Sequence, residues 1–212
     1  MGDATTLVRW CRSNGCLDAI VGGFFVRRQG VPLGELRIDG MPISTEPFDQ
    51  PWDEVRSCVH VWNGRIRIAR RFELAAAPPG DLLQAGPLLV HEGASVVAGD
   101  PDPEGFSSGE RQFDSDITRG RYPRAALALA GRRLIAVACE GRAQDEPGLT
   151  LTELAEALVE LGAEVAINLD GGGSASLVYG GRLRNSPREE HGIEIAGGRP
   201  IATALVFEPR MA

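Results

Sequence analysis

"INLDGGGSASLVYGG", residues 167–181, decides how the rest of the chain is read. An apolar run ends in Asn168, Leu169 and Asp170, and three glycines, Gly171, Gly172 and Gly173, follow before Ser174. Ordered glycine costs roughly 0.5–1 kcal/mol relative to alanine, so three in a row cost about 1.5–3 kcal/mol. Either the turn needs dihedrals closed to other residues, or a ligand or neighbouring strand comes close to the backbone. Upstream, "GLTLTELAEALVELGAE" has Thr150 and Glu153 at capping-box spacing, Leu151, Leu154, Ala155, Leu158 and Leu161 on one face, and Gly162 placed to stop a helix. "EVAINLD" then reads as a buried strand, and "ASLVYGGRL" as another that turns at Gly180-Gly181. The glycines therefore join strand to strand. Phosphate loops of the P-loop and dinucleotide kinds open a helix instead, and their lysine or spaced glycines are absent, so both are excluded.

Outward from this stretch the chain is rich in hairpin signals. "ELRIDGMPI" turns at Asp39-Gly40, "SCVHVWNGRIRIARRF" at Asn63-Gly64, and "ALALAGRRLIAVACE" near Gly131. A short helix is expected near Ala4 to Ser13. The fold expected is α+β: a single domain over residues 1–212, with a central twisted, largely antiparallel mixed sheet rich in hairpins and packed by a few helices.

The chain is 43% hydrophobic and 24% charged, the balance of a soluble globular protein, and no apolar run reaches the roughly 18 residues of a spanning helix. This argues against a membrane partner. The N-terminus "MGDATTLVRWCRSNGC" shows no basic-then-apolar export pattern, so a cytoplasmic location is expected. Net charge is −7 and no basic run is interleaved with aromatics, which weighs against nucleic acid as the main partner. All basic residues are arginine, so any bound anion would be held by guanidinium forks or backbone amides. Cys11, Cys16, Cys58 and Cys139 lack zinc spacing and read as free thiols, although Cys11 and Cys16 could pair under oxidising conditions. His60, His91 and His191 show no catalytic pattern.

"GDPDPEGFSSGERQFDSDITRGRYPR", residues 99–124, is polar and without periodicity, the pattern of a lid, a binding loop or a disordered insertion. Its acids, Asp100, Asp102, Glu104, Asp114 and Asp116, read as a solvated loop rather than a calcium site.

Chemically, a DGGGS turn can form an amide-lined concavity with a hydroxyl from Ser174. Asp170 conflicts with a bound anion: two like charges about 4 Å apart repel by roughly 4 kcal/mol at an effective dielectric of 20. Asp170 is therefore neutralised by arginine or a cation, protonated, or aimed at an uncharged part of the ligand. Candidate arginine partners are Arg124, Arg142 and Arg199.

The segment from Gly148 to Val178 also resembles the phosphodiester glycosidase family. "GCLDAIVGGFF" is similar to its Asn-Gly-Gly-Phe-Phe segment, "AGPLLVHEG" to its Gly-Pro-Leu-Leu segment, "RYPRAALAL" to its arginine-bearing strand entry, "VACEGR" to its Asp-Gly-Arg turn, and "RPIATALVFEP" to its last strand. Val21 stands where the family has asparagine, and Glu140 where aspartate is common. The resemblance implies a hydrolase that cleaves a sugar-1-phosphodiester and releases the sugar from a phosphorylated acceptor, on a small-molecule or glycan substrate. It implies catalytic roles for Asp170, which orients or activates water or stabilises charge at the anomeric carbon, for Glu140 as second carboxylate, and for Arg124. Arg199, with Arg124, would hold the phosphate, and Arg142 would join them. Gly171, Gly172, Gly173 and Ser174 would shape the site, with Gly22, Gly23 and Phe24 as the opposite wall. Asn168 and Asn185 could meet sugar hydroxyls or satisfy local turns. Two other classes stay open: a non-catalytic phosphoglycan- or anion-binding module, and a metal-dependent phosphodiesterase attacking phosphorus with calcium or magnesium. No cofactor is certain, a divalent cation is possible, and the oligomeric state is open.

Overall fold

The computed structural model describes residues 5–99, 102–107 and 117–208. Thr150 opens its longest helix, Leu151–Glu160. The Thr150 hydroxyl accepts from the Glu153 amide at 3.1 Å and the Glu153 carboxylate accepts from the Thr150 amide at 3.0 Å, the reciprocal cap that the spacing predicts. Gly162, at φ +86°, ends it. A second helix, Leu7–Asn14, starts later than expected because the Thr6 hydroxyl caps the Arg9 amide, and it ends at Gly15.

Every strand ladder among the described residues is antiparallel, and a lone Leu33–Glu46 bridge is parallel. The hairpins at Asp39-Gly40, Asn63-Gly64, Gly131 and Gly180-Gly181 all form. The architecture is α+β with few helices, and its strands are shared among three larger sheets and two short ribbons. The first sheet runs in the order Ala94–Ser95, Leu88–His91, Val165–Asn168, Arg124–Ala130, Arg133–Cys139. The second runs Met41–Pro42, Leu36–Ile38, Asp81–Gln84, Ser57–Trp62, Arg65–Arg70, and the third Arg182–Leu183, Leu177–Tyr179, Ala19–Val21, Ala204–Val206.

Alternation in "RAALALA" explains how the first sheet packs. Ala126 and Ala128 face the helix Leu151–Glu160, where small side chains let Leu154, Ala155 and Leu158 approach. Ala125 and Leu127 point the other way, into a second cluster with Ile20, Val59, Ile167 and Leu169 drawn from all three larger sheets. The chain changes sheet twice beside this cluster. Residues 85–87 lead from the second sheet to the first, and residues 169–176 lead from the first to the third. The crossings are laced together: Gly86 N donates to Asn168 O at 3.0 Å, and Asn168 N donates to Pro87 O at 2.9 Å.

Part of the polar segment departs from the solvated loop expected. Glu104 is only 1% exposed and accepts from Leu88 N, Ser57 N and Ser57 Oγ at 2.8, 2.9 and 3.0 Å. Burial raises its pKa, while those donors work in the other direction. Phe106 is buried beside Phe24 and Phe48, and the Arg56 guanidinium lies 4.1 Å and 4.2 Å from the rings of Phe106 and Phe48. A Cβ on Gly86 would meet Glu104 Oε2 at 2.7 Å, so glycine is required there. Asp102 caps this short stretch by accepting from Phe106 N and Ser107 N. Asp100, Asp114 and Asp116 lie outside the described residues. The sequence misleads here because a carboxylate is polar by type, yet buried donors can hold it inside.

Replacing Glu104 by alanine leaves two backbone amides and a hydroxyl buried without their acceptor, at about 1–3 kcal/mol each. Glu104→Ala is expected to lower the thermal unfolding midpoint strongly, and Asp102→Ala less, in calorimetric scans at neutral pH.

Candidate functional site

The DGGGS turn forms one short 3-10 turn, Gly172–Ser174, between the first and third sheets. It is pinned on both sides. Asp170 N donates to Gly22 O at 3.0 Å, and Gly172 N to Pro123 O at 2.9 Å. A Cβ on Gly171 would sit 2.8 Å from Pro123 O. At Gly172, which has φ +59°, it would sit 3.3 Å from the Arg142 guanidinium. At Gly173 it would lie 2.8 Å from the Glu189 carboxylate and 3.0 Å from the Arg199 guanidinium. Of the two explanations for bare backbone, both apply: a left-handed residue and close neighbours. At Gly172 and Gly173 the neighbours are charged side chains, and at Gly171 a backbone carbonyl.

The amide-lined concavity expected for an anion does not form from three of the amides. Gly171 N donates to Asp170 Oδ1 at 2.9 Å, Gly172 N to Pro123 O, and Ser174 N to Gly171 O. Arginines gather there instead. Arg199 N donates to Gly173 O at 3.1 Å, and its guanidinium binds Glu189 Oε1 through Nε at 2.6 Å and also through Nη2. Arg142 Nη1 donates to Arg188 O at 3.2 Å and lies 3.5 Å from Glu189 Oε2. Glu189 thus bridges two guanidinium groups. Arg142 holds a left-handed φ of +64°, uncommon for a residue with a side chain.

Asp170 keeps partial solvent access, yet the protein enclosing it raises its pKa to about 6. Burial is the main cause; Ser174, Arg199, the Gly171 amide and Arg27 pull the other way. The Ser174 hydroxyl is close enough to favour the charged form but makes no hydrogen bond of good geometry. Burial opposes ionisation of Glu189 too, but there Arg199, Arg27 and Arg142 win, and its pKa is lowered. Desolvation lowers that of Arg142, against the pull of Glu189. The site therefore holds two unlike carboxylates, one locked into ion pairs and one poised near neutrality.

Several residues expected at the site lie elsewhere. Arg124 is 3% exposed and spends its guanidinium on the carbonyls of Leu149, Ile117 and Gly120, so only its backbone underlies the turn. Glu140 accepts from Ser186 N at 2.8 Å and stands 3.4 Å from Arg188, tying down the loop that carries Glu189. Asn168 is 2% exposed and donates to Gly86 O and Leu169 O. Asn185 bonds Leu177 N and Ala175 O. Phe24 is buried in the core with Leu33, Phe48 and Phe106. Gly22 and Gly23 stay next to Asp170, packed so tightly against Thr203 and the Gln84 carbonyl that a Cβ would clash. Val21 is fully buried in the central core, so this chain has an apolar core residue at the family's asparagine position. Glu189 and Arg27 were missed; both sit in charged, aperiodic sequence that looks like ordinary surface. Among the described residues, no three His, Cys, Asp or Glu side chains gather where they could hold a metal, and no helix is long and apolar enough to cross a membrane. The four cysteines are free.

The family model for phosphodiester glycosidases matches residues 14–208. Among solved structures, the zebrafish N-acetylglucosamine-1-phosphodiester alpha-N-acetylglucosaminidase catalytic domain, auto-inhibited by its pro-peptide, superposes with a TM-score of 0.71 at 21% identity, covering 98% of this chain and 68% of that one. A putative exported protein from Burkholderia pseudomallei gives 0.64 at 16% identity over 98% and 68% of the two chains. A hypothetical protein from Synechocystis gives 0.60 at 20% identity, and the present chain spans 53% of its length. At these identities the likeness shows the fold. No curated protein matches the chain.

The raised pKa of Asp170 sets a stability trend. The folded state binds this proton more tightly than the unfolded chain, so stability is lost as pH rises from about 3.8 to about 6, in all by roughly 3 kcal/mol. Asp170→Asn removes that loss. The variant is expected to melt above wild type at pH 7.5 and to converge with it near pH 3.5, in paired thermal scans; an equal offset at both pH values would contradict the burial effect.

Proposed function

Since the chain belongs to the phosphodiester glycosidase family, we propose that it hydrolyses a sugar-1-phosphodiester at a site built from Asp170, Arg142, Arg199 and Glu189. The observation that carries this reading is the meeting of two arginines and a carboxylate of raised pKa on one glycine turn. The phosphodiester lies against Arg142 and Arg199, whose forked donors suit its oxygens. Glu189 orients the two guanidinium groups through its ion pairs. It takes the place given to Glu140 as second carboxylate. Arg142 and Arg199 take the place given to Arg124, whose donors are spent on carbonyls.

Asp170 is kept off the phosphate by charge and faces the sugar. Above pH 6 it is mainly ionised and can accept a proton from water. The water oxygen bonds to the anomeric carbon as the bond from that carbon to the phosphate oxygen breaks. The electron pair leaves with a phosphate monoester, and the proton passes to Asp170. Because the leaving group is a weak base held by two guanidinium groups, it departs without a dedicated general acid, unlike the paired-carboxylate arrangement of ordinary glycosidases. Glycines at 171–173 let the arginines reach the reacting phosphate without side chains between them.

Hydrolysis of 4-nitrophenyl sugar phosphates in heavy-oxygen water tests the reading. Label is expected in the sugar; label in the phosphate would show attack at phosphorus instead, and binding without turnover would identify a binding module. The rate is expected to fall as pH drops through about 6, where Asp170 takes up its proton. Asp170→Asn should lower kcat by about 10²- to 10⁴-fold, and rates like those of wild type would remove Asp170 from the mechanism.

A further inference from the structure

Three arginines line a cleft distinct from the Asp170 site. Arg9 and Arg12 are three residues apart on the helix Leu7–Asn14 and so share one of its faces. Arg182 comes from the edge strand Arg182–Leu183 of the third sheet. With Thr6, Leu183 and Gly197 they line a cleft of about 690 Å³, none of whose lining residues is acidic. This volume falls within the roughly 300–1,000 Å³ of small-molecule sites.

Several arginines elsewhere find carboxylates: Arg37 and Arg71 bind Glu35, Arg121 binds Glu153, Arg188 binds Glu140 and Glu146, and Arg199 binds Glu189. Arg9, Arg12 and Arg182 are exposed and form no ion pair with a described residue. A chain of net charge −7 repels anions at long range, so an oxyanion is held only where cations converge. Three guanidinium groups supply forked donors for a multiply charged oxyanion, and Val8 and Leu183 give an apolar floor for the body that carries it.

The position of the cleft connects it to the catalytic turn. Its wall at Gly197 continues through Gly198 into Arg199, whose amide bonds the Gly173 carbonyl. The strand Thr5–Thr6, at the head of the arginine-bearing helix, pairs with Pro200–Ile201 just after Arg199. One segment thus borders both the phosphodiester site and the arginine cleft. We infer that the cleft is an accessory oxyanion site that holds a second phosphate of a polyanionic glycan substrate while Arg142 and Arg199 hold the phosphodiester being cleaved. The assignment of this occupant to the substrate rests on the function proposed above.

Two measurements test it on the full chain. Titration with inorganic pyrophosphate at low salt, followed by amide NMR, is expected to shift the Thr6 and Gly197 signals, and Arg9→Gln/Arg182→Gln to weaken that response by about tenfold or more. Unmoved signals in wild type, or an equal response in the double variant, would overturn the site. With a short phosphodiester-linked oligosaccharide as substrate, the double variant is expected to raise KM about tenfold at unchanged kcat, while KM for 4-nitrophenyl sugar phosphate stays as in wild type. An unchanged KM for the oligosaccharide would overturn the link to substrate. If wild type hydrolyses neither compound, the catalytic reading fails, and the pyrophosphate titration still decides whether the cleft binds an oxyanion.

Discussion

A Cβ on Gly173 would sit 2.8 Å from the Glu189 carboxylate and 3.0 Å from the Arg199 guanidinium, and one on Gly172 would sit 3.3 Å from that of Arg142. This lack of room organises the site. Two cations and their bridging carboxylate approach a backbone that has no side chains to hold them off, and the same backbone carries Asp170 two residues before Gly172. On the far side, Pro123 O accepts from Gly172 N and Gly22 O accepts from Asp170 N, so the turn is clamped between the first and third sheets. The glycines cost conformational freedom. What offsets that cost is close approach, together with the hydrogen bonds that fix the turn.

From the clamp follows the electrostatic division between the two carboxylates. Glu189 is surrounded by Arg199, Arg142 and Arg27 and stays ionised. Asp170 shares some of the same cations but is more strongly desolvated, and its pKa rises to about 6. A group held near neutrality against its preference weakens the fold at the pH where it serves as a base, a familiar conflict between stability and activity. The sheet crossing makes the conflict tolerable: Leu169 and Ile167 are buried immediately before Asp170, in a core drawn from all three larger sheets.

Local patterns were legible in the sequence where local physics sets the structure. The Thr150–Glu153 cap, the stop at Gly162 and the four hairpin turns all formed at the positions read from the chain, because each depends on neighbours a few residues away. The DGGGS turn was located for the same reason. Arg142 and Arg199, two of the three candidate arginines, do reach it, but which of the three would do so was not legible, since that depends on contacts between distant segments. Arg124 looked like an anion ligand by type and position but turns toward the carbonyls of Ile117, Gly120 and Leu149. Glu189, in a charged and aperiodic stretch, carried no signal of its own and bridges Arg142 and Arg199. Glu104 belonged to a segment whose composition suggested solvent exposure, yet Ser57 and Leu88 supply the donors that keep it inside. Residue type alone does not say where a donor is waiting.

A structure of the protein with a sugar 1-phosphate bound tests the account most directly. The account predicts the phosphate on the Arg142 and Arg199 guanidinium groups, with the anomeric carbon facing Asp170. A phosphate on Arg124, or an arrangement with the phosphate against Asp170 and the sugar on the arginines, would contradict it.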